Sequence, residues 1–223
     1  MSIGSPRVHF RLVDSTNERA RALAAGGAPH GTLVTAAEQS GGRGRQGRSW
    51  TAPTGRALLC SAVLRDPPRL LPLAAGVAVA ELVGDGARVK WPNDVLLDGR
   101  KVAGILVEGR PQEGWAVLGI GVNVAAREHD FPPGLRDRAG TLGLDAADVE
   151  PTLARLLDEL NQWTAAPPDL VLEALRDRDA LRGRRVRWAG GEGEAAGVDG
   201  DGRLVVATGN GRVALDAGEV HLG

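Results

Sequence analysis

Hydrophobic and polar positions along the chain alternate between two periods. Runs of period two, or short apolar runs bounded by turn residues, predict strands at Arg7–Leu12, Thr32–Glu38, Ala57–Leu64, Arg88–Trp91, Asp94–Leu97, Lys101–Glu108 and Trp115–Val122. Helical spacing falls between and after them. Ser15-Thr16-Asn17-Glu18 offers capping side chains before a helix at Arg19–Ala25, and Gly26-Gly27 stops it. Leu70–Val83 is the longest apolar helical stretch, Pro151–Thr164 is amphipathic, and after Pro167-Pro168 another helix runs over Leu170–Asp179. Strands interleaved with helices on this schedule predict an α+β domain, a mixed sheet covered by helices.

Near Leu181 the character changes. Short alternating runs at Arg184–Trp188, Glu194–Val198, Leu204–Thr208 and Gly211–Leu215 are separated by Gly-Gly, Asp-Gly-Asp-Gly and Gly-Asn-Gly. These are hairpin turn signals. They predict two domains, residues 1–180 and 181–223, the second a small SH3-like all-β barrel. About 40 residues hold too little core to stand alone, so the barrel is expected to pack on the first domain.

With 43% hydrophobic and 25% charged residues, the composition is that of a globular protein. No apolar run approaches the roughly 20 residues of a membrane helix. The start, MSIGSPRVHF, lacks the apolar stretch of a signal peptide. The single cysteine, Cys60, cannot form an internal disulfide, and with no export signal read at the start a reducing cytoplasm is the expected location. Because it lies within ALLCSAVL, Cys60 reads as a core thiol rather than a nucleophile. A net charge of −1 argues against a protein that lives on nucleic acid or an anionic membrane. Lysine is nearly absent: of 27 basic residues only Lys90 and Lys101 are lysines, a hint that a compact ammonium is wanted there. His9, His30, His129 and His221 are scattered without metal-ligand spacing.

Four stretches could carry chemistry. Glu38-Gln39-Ser40-Gly41-Gly42-Arg43-Gly44-Arg45-Gln46-Gly47-Arg48-Ser49-Trp50 combines glycines that let backbone amides approach an anion, guanidinium forks, and one aromatic face. It suits a nucleotide, and a plain solvated loop or an Arg-Gly segment stacking on single-stranded nucleic acid competes with that reading. It has neither the Gly-Lys-Ser/Thr ending of a Walker loop nor a dinucleotide fingerprint. Lys90-Trp91-Pro92-Asn93-Asp94 leads into a hairpin that turns at Asp98-Gly99 and returns on Lys101. Trp91, preceding a proline, is expected to be extended. Asn93 and Asp94 could hold a hydroxyl or Mg²⁺, and Lys101 could neutralise charge where a carboxylate meets a phosphate. A hairpin with a surface lysine would look the same. Ser15-Thr16-Asn17 could bind a polar ligand head or merely cap a helix. Gly119-Ile120-Gly121-Val122-Asn123 could read a nucleotide edge or simply pack tightly.

Taken in order, these motifs closely resemble the bacterial biotin protein ligases. The similarity spans about residues 8–124, and the helices and barrel beyond resemble the family's tail. The resemblance implies biotin contacts at Ser15, Thr16, Asn17, Gln39, Gly42, Arg43, Gly44, Arg45, Lys101 and Gly104. It implies nucleotide contacts at Arg43, Arg45, Arg48, Trp50, Asn93, Asp94 and Asn123, with Asp94 also a candidate Mg²⁺ ligand. Lys101, Arg45 and Asp94 become the expected catalytic residues. Ser40, Gly41 and Gln46 depart mildly from the family pattern. Fourteen residues precede Ser15, so the helix-turn-helix domain of the family's repressor members is expected to be absent.

The implied activity is ATP-dependent formation of biotinyl-5′-AMP, with Mg²⁺ accompanying ATP. Transfer to a lysine of a biotin carboxyl carrier protein, of acetyl-CoA carboxylase or a related carboxylase, would follow. The resemblance leaves a homodimer open and gives no reason to expect DNA or membrane partners. A lipoate or octanoate ligase or transferase shares the wider resemblance, and a nucleic-acid binder using the Arg-Gly loop is the alternative outside enzymes.

Overall fold

In a computed structural model, residues 2–216 and 218–222 are described. Met1, Ala217 and Gly223, which the expected domains include, lie outside the described residues. The first strands are β1 (Arg7–Phe10), β2 (Leu33–Ala36), β3 (Ala57–Arg65), β4 (Arg88–Lys90), β5 (Asp94–Leu97), β6 (Arg100–Arg110) and β7 (Trp115–Asn123). They form one sheet in the order β1-β2-β3-β7-β6-β5-β4. Only β1 and β2 run parallel; every other neighbour pair is antiparallel. The sheet is therefore mixed, as the alternation of elements predicts.

The period-two pattern divides the sheet into two working faces. On β3, Leu58, Cys60, Ala62 and Leu64 join the main core with helix α2 (Leu71–Val83). Ten of the thirteen α2 residues are buried, which is why its sequence is apolar all round rather than amphipathic. Helices α3 (Val149–Ala165) and α4 (Pro168–Asp177) pack against α2 from outside. The opposite face carries α1 (Thr16–Ala25), whose Ala20 and Ala24 meet Val34, Val63 and Val117. Cys60 is a free, buried thiol, pushed up to about 12 by burial, and so has no nucleophilic character.

Several boundaries differ from the expectations. Helix α1 begins at Thr16, not Arg19, and the Ser15 side chain makes no cap hydrogen bond. The first turn of α1 instead faces inward, with Thr16 and Asn17 buried. The first two strands are shorter than predicted, and α4 starts at Pro168, where a missing N–H costs nothing. The Trp91–Pro92 bond is cis, and residues 91–93 form a turn closed by Asn93 N–H to the Lys90 carbonyl at 3.2 Å.

Strands β8 (Arg185–Trp188), β9 (Gly191–Val198), β10 (Leu204–Thr208), β11 (Gly211–Leu215) and β12 (His221–Leu222) make a second, all-antiparallel sheet in the order β11-β10-β9-β8-β12. Its inward residues Val186, Ala195, Leu204, Val206 and Val220 belong to the same buried cluster as α2 and the large sheet. The small domain thus shares its core with the large one.

Candidate active site

A cavity of about 670 Å³ opens on the α1 side of the large sheet and reaches the last strand of the small domain. Its walls hold fourteen of the fifteen residues expected at the site; Gly42 is the exception. A Cβ at Gly42 would run into the Trp50 carbonyl and the Gln39 amide, so only glycine lets the chain fold over at this point.

At one end sits a polar network. Gln39 Oε1 accepts from both the backbone N–H of Thr16 (2.7 Å) and its hydroxyl (3.0 Å). Ser61, buried on β3, donates its one hydroxyl proton to Asn17 Oδ1 (2.6 Å) and lies within hydrogen-bond distance of the Thr16 hydroxyl (2.8 Å), and Asn17 Nδ2 donates to Glu108 at 2.9 Å. The polar atoms of Asn17 are therefore engaged within the protein, tying α1 to β3 and β6. Sequence reasoning did not single out Ser61 or Glu108. Their positions on apolar-looking strands gave no signal until register placed Ser61 opposite Gly119.

The centre of the site is a floor made by glycines. Gly104 on β6 and Gly121 on β7 are register partners, and the Trp50 ring lies over both. A Cβ at Gly104 would lie 3.0 Å from Trp50 Cζ3, and one at Gly121 would lie 2.5 Å from Cε2. Any larger residue would lift the indole from the sheet.

The other end is charged. Lys101 Nζ lies 2.6 Å from Asp94 Oδ1, within ion-pair range, though the geometry does not align as a hydrogen bond. The same ammonium sits 5.6 Å from the centre of the Trp50 ring. Arg45 donates to Asn93 Oδ1 at 3.1 Å, and Asn93 Nδ2 donates to the Ile105 carbonyl at 3.1 Å. Lys90, the β4 partner of Asp94, completes the cluster. Burial lowers the Lys90 ammonium from its ordinary value, and Lys101, Arg48 and Arg138 press it the same way against the pull of Asp94. Burial also lowers Arg45, opposed by Asp94. Asp94 meets a cation of the protein's own in Lys101, so Mg²⁺ held there would have to share it. Among the described residues no group of three His, Cys, Asp or Glu forms a cation cage.

The three loop arginines reach three different elements. Arg43 pairs with Glu18 of α1 and lies 3.7 Å from Glu108, Arg45 meets the Asn93 turn, and Arg48 pairs with Glu219 of the small domain. Arg43, expected on biotin and phosphates, here anchors the loop to α1. Gly218 to Leu222 also line the cavity, a contribution that no motif in the tail announced. Arg138 lies in an irregular segment whose backbone clamps Lys101: Lys101 N–H donates to the Arg138 carbonyl at 2.7 Å, and Gly140 N–H donates to the Lys101 carbonyl at 2.8 Å.

Five buried side-chain polar atoms lack a hydrogen-bond partner among the described residues. Three of them line this cavity: Asp94 Oδ1, which the Lys101 ammonium meets as an ion pair at 2.6 Å, and Trp50 Nε1 and Asn123 Oδ1, which are unpaired. Such atoms cost about 1–3 kcal/mol each when unpaired, so their concentration here marks a place built for a polar ligand. Asn123 keeps its Nδ2 on the Gly140 carbonyl (2.8 Å), which leaves Oδ1 as a free acceptor.

Comparison with known proteins agrees with this geometry. Residues 9–124 match the biotin/lipoate A/B protein ligase family, and residues 183–223 match the biotin protein ligase C-terminal domain. The chain belongs to the biotin protein ligase family. It is 38% identical to the biotin–[acetyl-CoA-carboxylase] ligase of Mycobacterium tuberculosis over 93% of this chain and 86% of that one. It is 31% identical to the bifunctional ligase/repressor BirA of Bacillus subtilis over 99% of this chain and 75% of that protein. Among solved structures, the biotin protein ligase of Aquifex aeolicus in complex with biotin and ATP superposes with a TM-score of 0.81 at 29% identity. That match covers 98% of this chain and 99% of the other.

Proposed function

We propose that this protein activates biotin with Mg·ATP as biotinyl-5′-AMP and transfers the biotinyl group to a lysine of a biotin carboxyl carrier protein. The observation that carries the reading is the layout of one cavity: a neutral polar network at Thr16 and Gln39, an indole on a glycine floor, and the Lys90–Asp94–Lys101–Arg45 cluster beyond. A ureido head, a flat base and a triphosphate differ in this same order.

In the first step a carboxylate oxygen of biotin attacks the α-phosphorus, and the bond to the pyrophosphate oxygen breaks. Negative charge concentrates between the two reactants, where Lys101 and Arg45 offset it. Asn93 and the Lys101–Asp94 pair hold those cations in place, so less reorganisation is needed as charge develops. The nucleotide brings Mg²⁺ with it, on its phosphates. In the second step the neutral amine of a carrier lysine attacks the acyl carbon, AMP leaves, and the amine proton is released. Asp94, which lines the cavity, is the candidate to receive it.

Neither alternative fits as well. A lipoate ligase is compatible with the broad family match, but residues 183–223 resemble the C-terminal domain of biotin ligases in particular. A nucleic-acid binder would line its arginines along an open face, whereas Arg43, Arg45 and Arg48, the first and last of them exposed, each reach a different element around one cavity. Incubation with ATP, an apo biotin carboxyl carrier domain, and either biotin or lipoate tests the proposal by mass spectrometry. Gain of one biotinyl group on the carrier lysine is expected. Gain of lipoyl instead, or no gain from biotin, would contradict it.

A further inference from the structure

The small domain touches the site through a turn as well as through its last strand. Trp91 is 3% exposed and stands in the turn that delivers Asn93 to Arg45 and Asp94 to Lys101. Its one polar atom, the indole N–H, donates to the carbonyl of Gly202 at 3.0 Å. Gly202 belongs to the β9–β10 connection, residues 199–203, and does not line the cavity.

That connection is fixed from within and from below. The Asp199 carboxylate accepts from the backbone N–H of Asp201 (2.9 Å) and of Arg203 (3.0 Å). Arg69, just ahead of α2, donates to the Asp201 carboxylate at 2.8 Å and to the Gly200 carbonyl at 2.9 Å. Gly202 has φ +82°, and a Cβ there would lie 2.8 Å from Leu70 Cδ2 and 2.9 Å from Leu73 Cδ1. The carbonyl is thus presented at a set height above α2.

We infer that the β9–β10 turn is a positioning element for the nucleotide end of the site. By holding the Trp91 indole through Gly202, it sets where the 90–93 turn places Asn93 and Asp94 against Arg45 and Lys101. This inference rests on the ligase reading of the cavity. If the turn served only to attach the small domain, its loss would lower stability without selecting one kinetic constant. If it positions the cluster, its loss slows chemistry while biotin recognition, which sits on Thr16 and Gln39, is spared. A displacement well under 1 Å suffices, since about 1 Å can cost roughly a hundredfold in rate.

The test is biotin-dependent exchange of pyrophosphate into ATP, with biotin and ATP varied separately, alongside thermal unfolding. Trp91→Phe keeps an aromatic ring but removes the N–H together with the fused pyrrole that carries it; kcat is expected to fall about tenfold with KM for biotin unchanged. Asp201→Ala removes the side-chain half of the exposed Arg69 clip, leaving the bond to the Gly200 carbonyl, and should lower kcat in the same direction by about twofold to fourfold, serving also if Trp91→Phe fails to fold. Combined, the two changes should cost less than the product of their separate effects, because both act through Gly202. Variants with parental kcat, or with kcat and both KM values worsening together only as Tm falls, would overturn the inference. A parent with no biotin-dependent exchange would overturn the ligase reading, and this inference with it.

Discussion

Lys101 and Lys90 approach one carboxylate, Asp94, from the two strands that flank its own in an arginine-rich protein. An arginine fork could not sit as a point charge between Asp94 and the Trp50 face without disturbing one of them. Lys101→Ala is therefore expected to lower pyrophosphate exchange about a hundredfold, the effect of removing one preorganised charge of ~3 kcal/mol, with an unchanged melting curve. Near-parental exchange in a variant that melts normally would take Lys101 out of the mechanism. Lys90 gives a pH signature. Its ammonium in the folded protein loses its proton below the ordinary 10.5, and only the protonated form can counter a triphosphate. So kcat/KM for ATP should fall as pH rises through that lowered pKa, before 10.5 is reached. Stability should move the other way over the same window, because the unfolded chain holds the proton more tightly. In Lys90→Arg the fall should shift to higher pH; an unshifted profile would assign the titration to another group. The scarcity of lysine made both residues visible in the sequence. Their common partner was not, because it depends on strand register.

At the scale of elements, the site is built by glycines spaced along two strands and a helix turned inward. Gly104 and Gly121 come together only because β6 and β7 pair in the observed register, and Trp50 then lies flat across both. Gly121→Ala should displace the indole: activity is expected to fall at least tenfold, with a stability loss of no more than the about 1–3 kcal/mol typical of overpacking. Parental activity measured in the same pyrophosphate exchange would show that the floor is not needed. The glycine-spaced run Gly119–Asn123 was legible as a motif, and the strands and the long apolar helix were legible from periodicity. The start of α1 was misplaced because Ser15-Thr16-Asn17 looks like a cap, whereas Thr16 and Asn17 lie inside the helix and bond to Gln39, Ser61 and Glu108. No periodic signal marks the irregular segment that clamps Lys101 through residues 138–140, since its backbone is held by a distant strand.

Across the whole molecule, one buried cluster runs from the large sheet through α2 into Leu204 and Val206 of the small domain. The change of pattern near Leu181 led to the expectation of a second domain packed on the first, but not that it would reach the cavity with Glu219 or the Trp91 indole with Gly202. Such contacts join residues over a hundred positions apart and leave no local pattern. A shared core predicts a single cooperative unfolding transition, with probes in both domains giving coincident denaturant curves. Two separated transitions would mean that the domains are energetically independent. The cavity those domains share carries the account's central claim, that a carboxylate is activated there on a nucleotide. Exchange of labelled pyrophosphate into ATP measures that step alone, without any carrier protein. It should be absent without biotin, appear on adding biotin, and stay absent when lipoate replaces it. Exchange that ignores biotin, or that requires lipoate, would contradict the account.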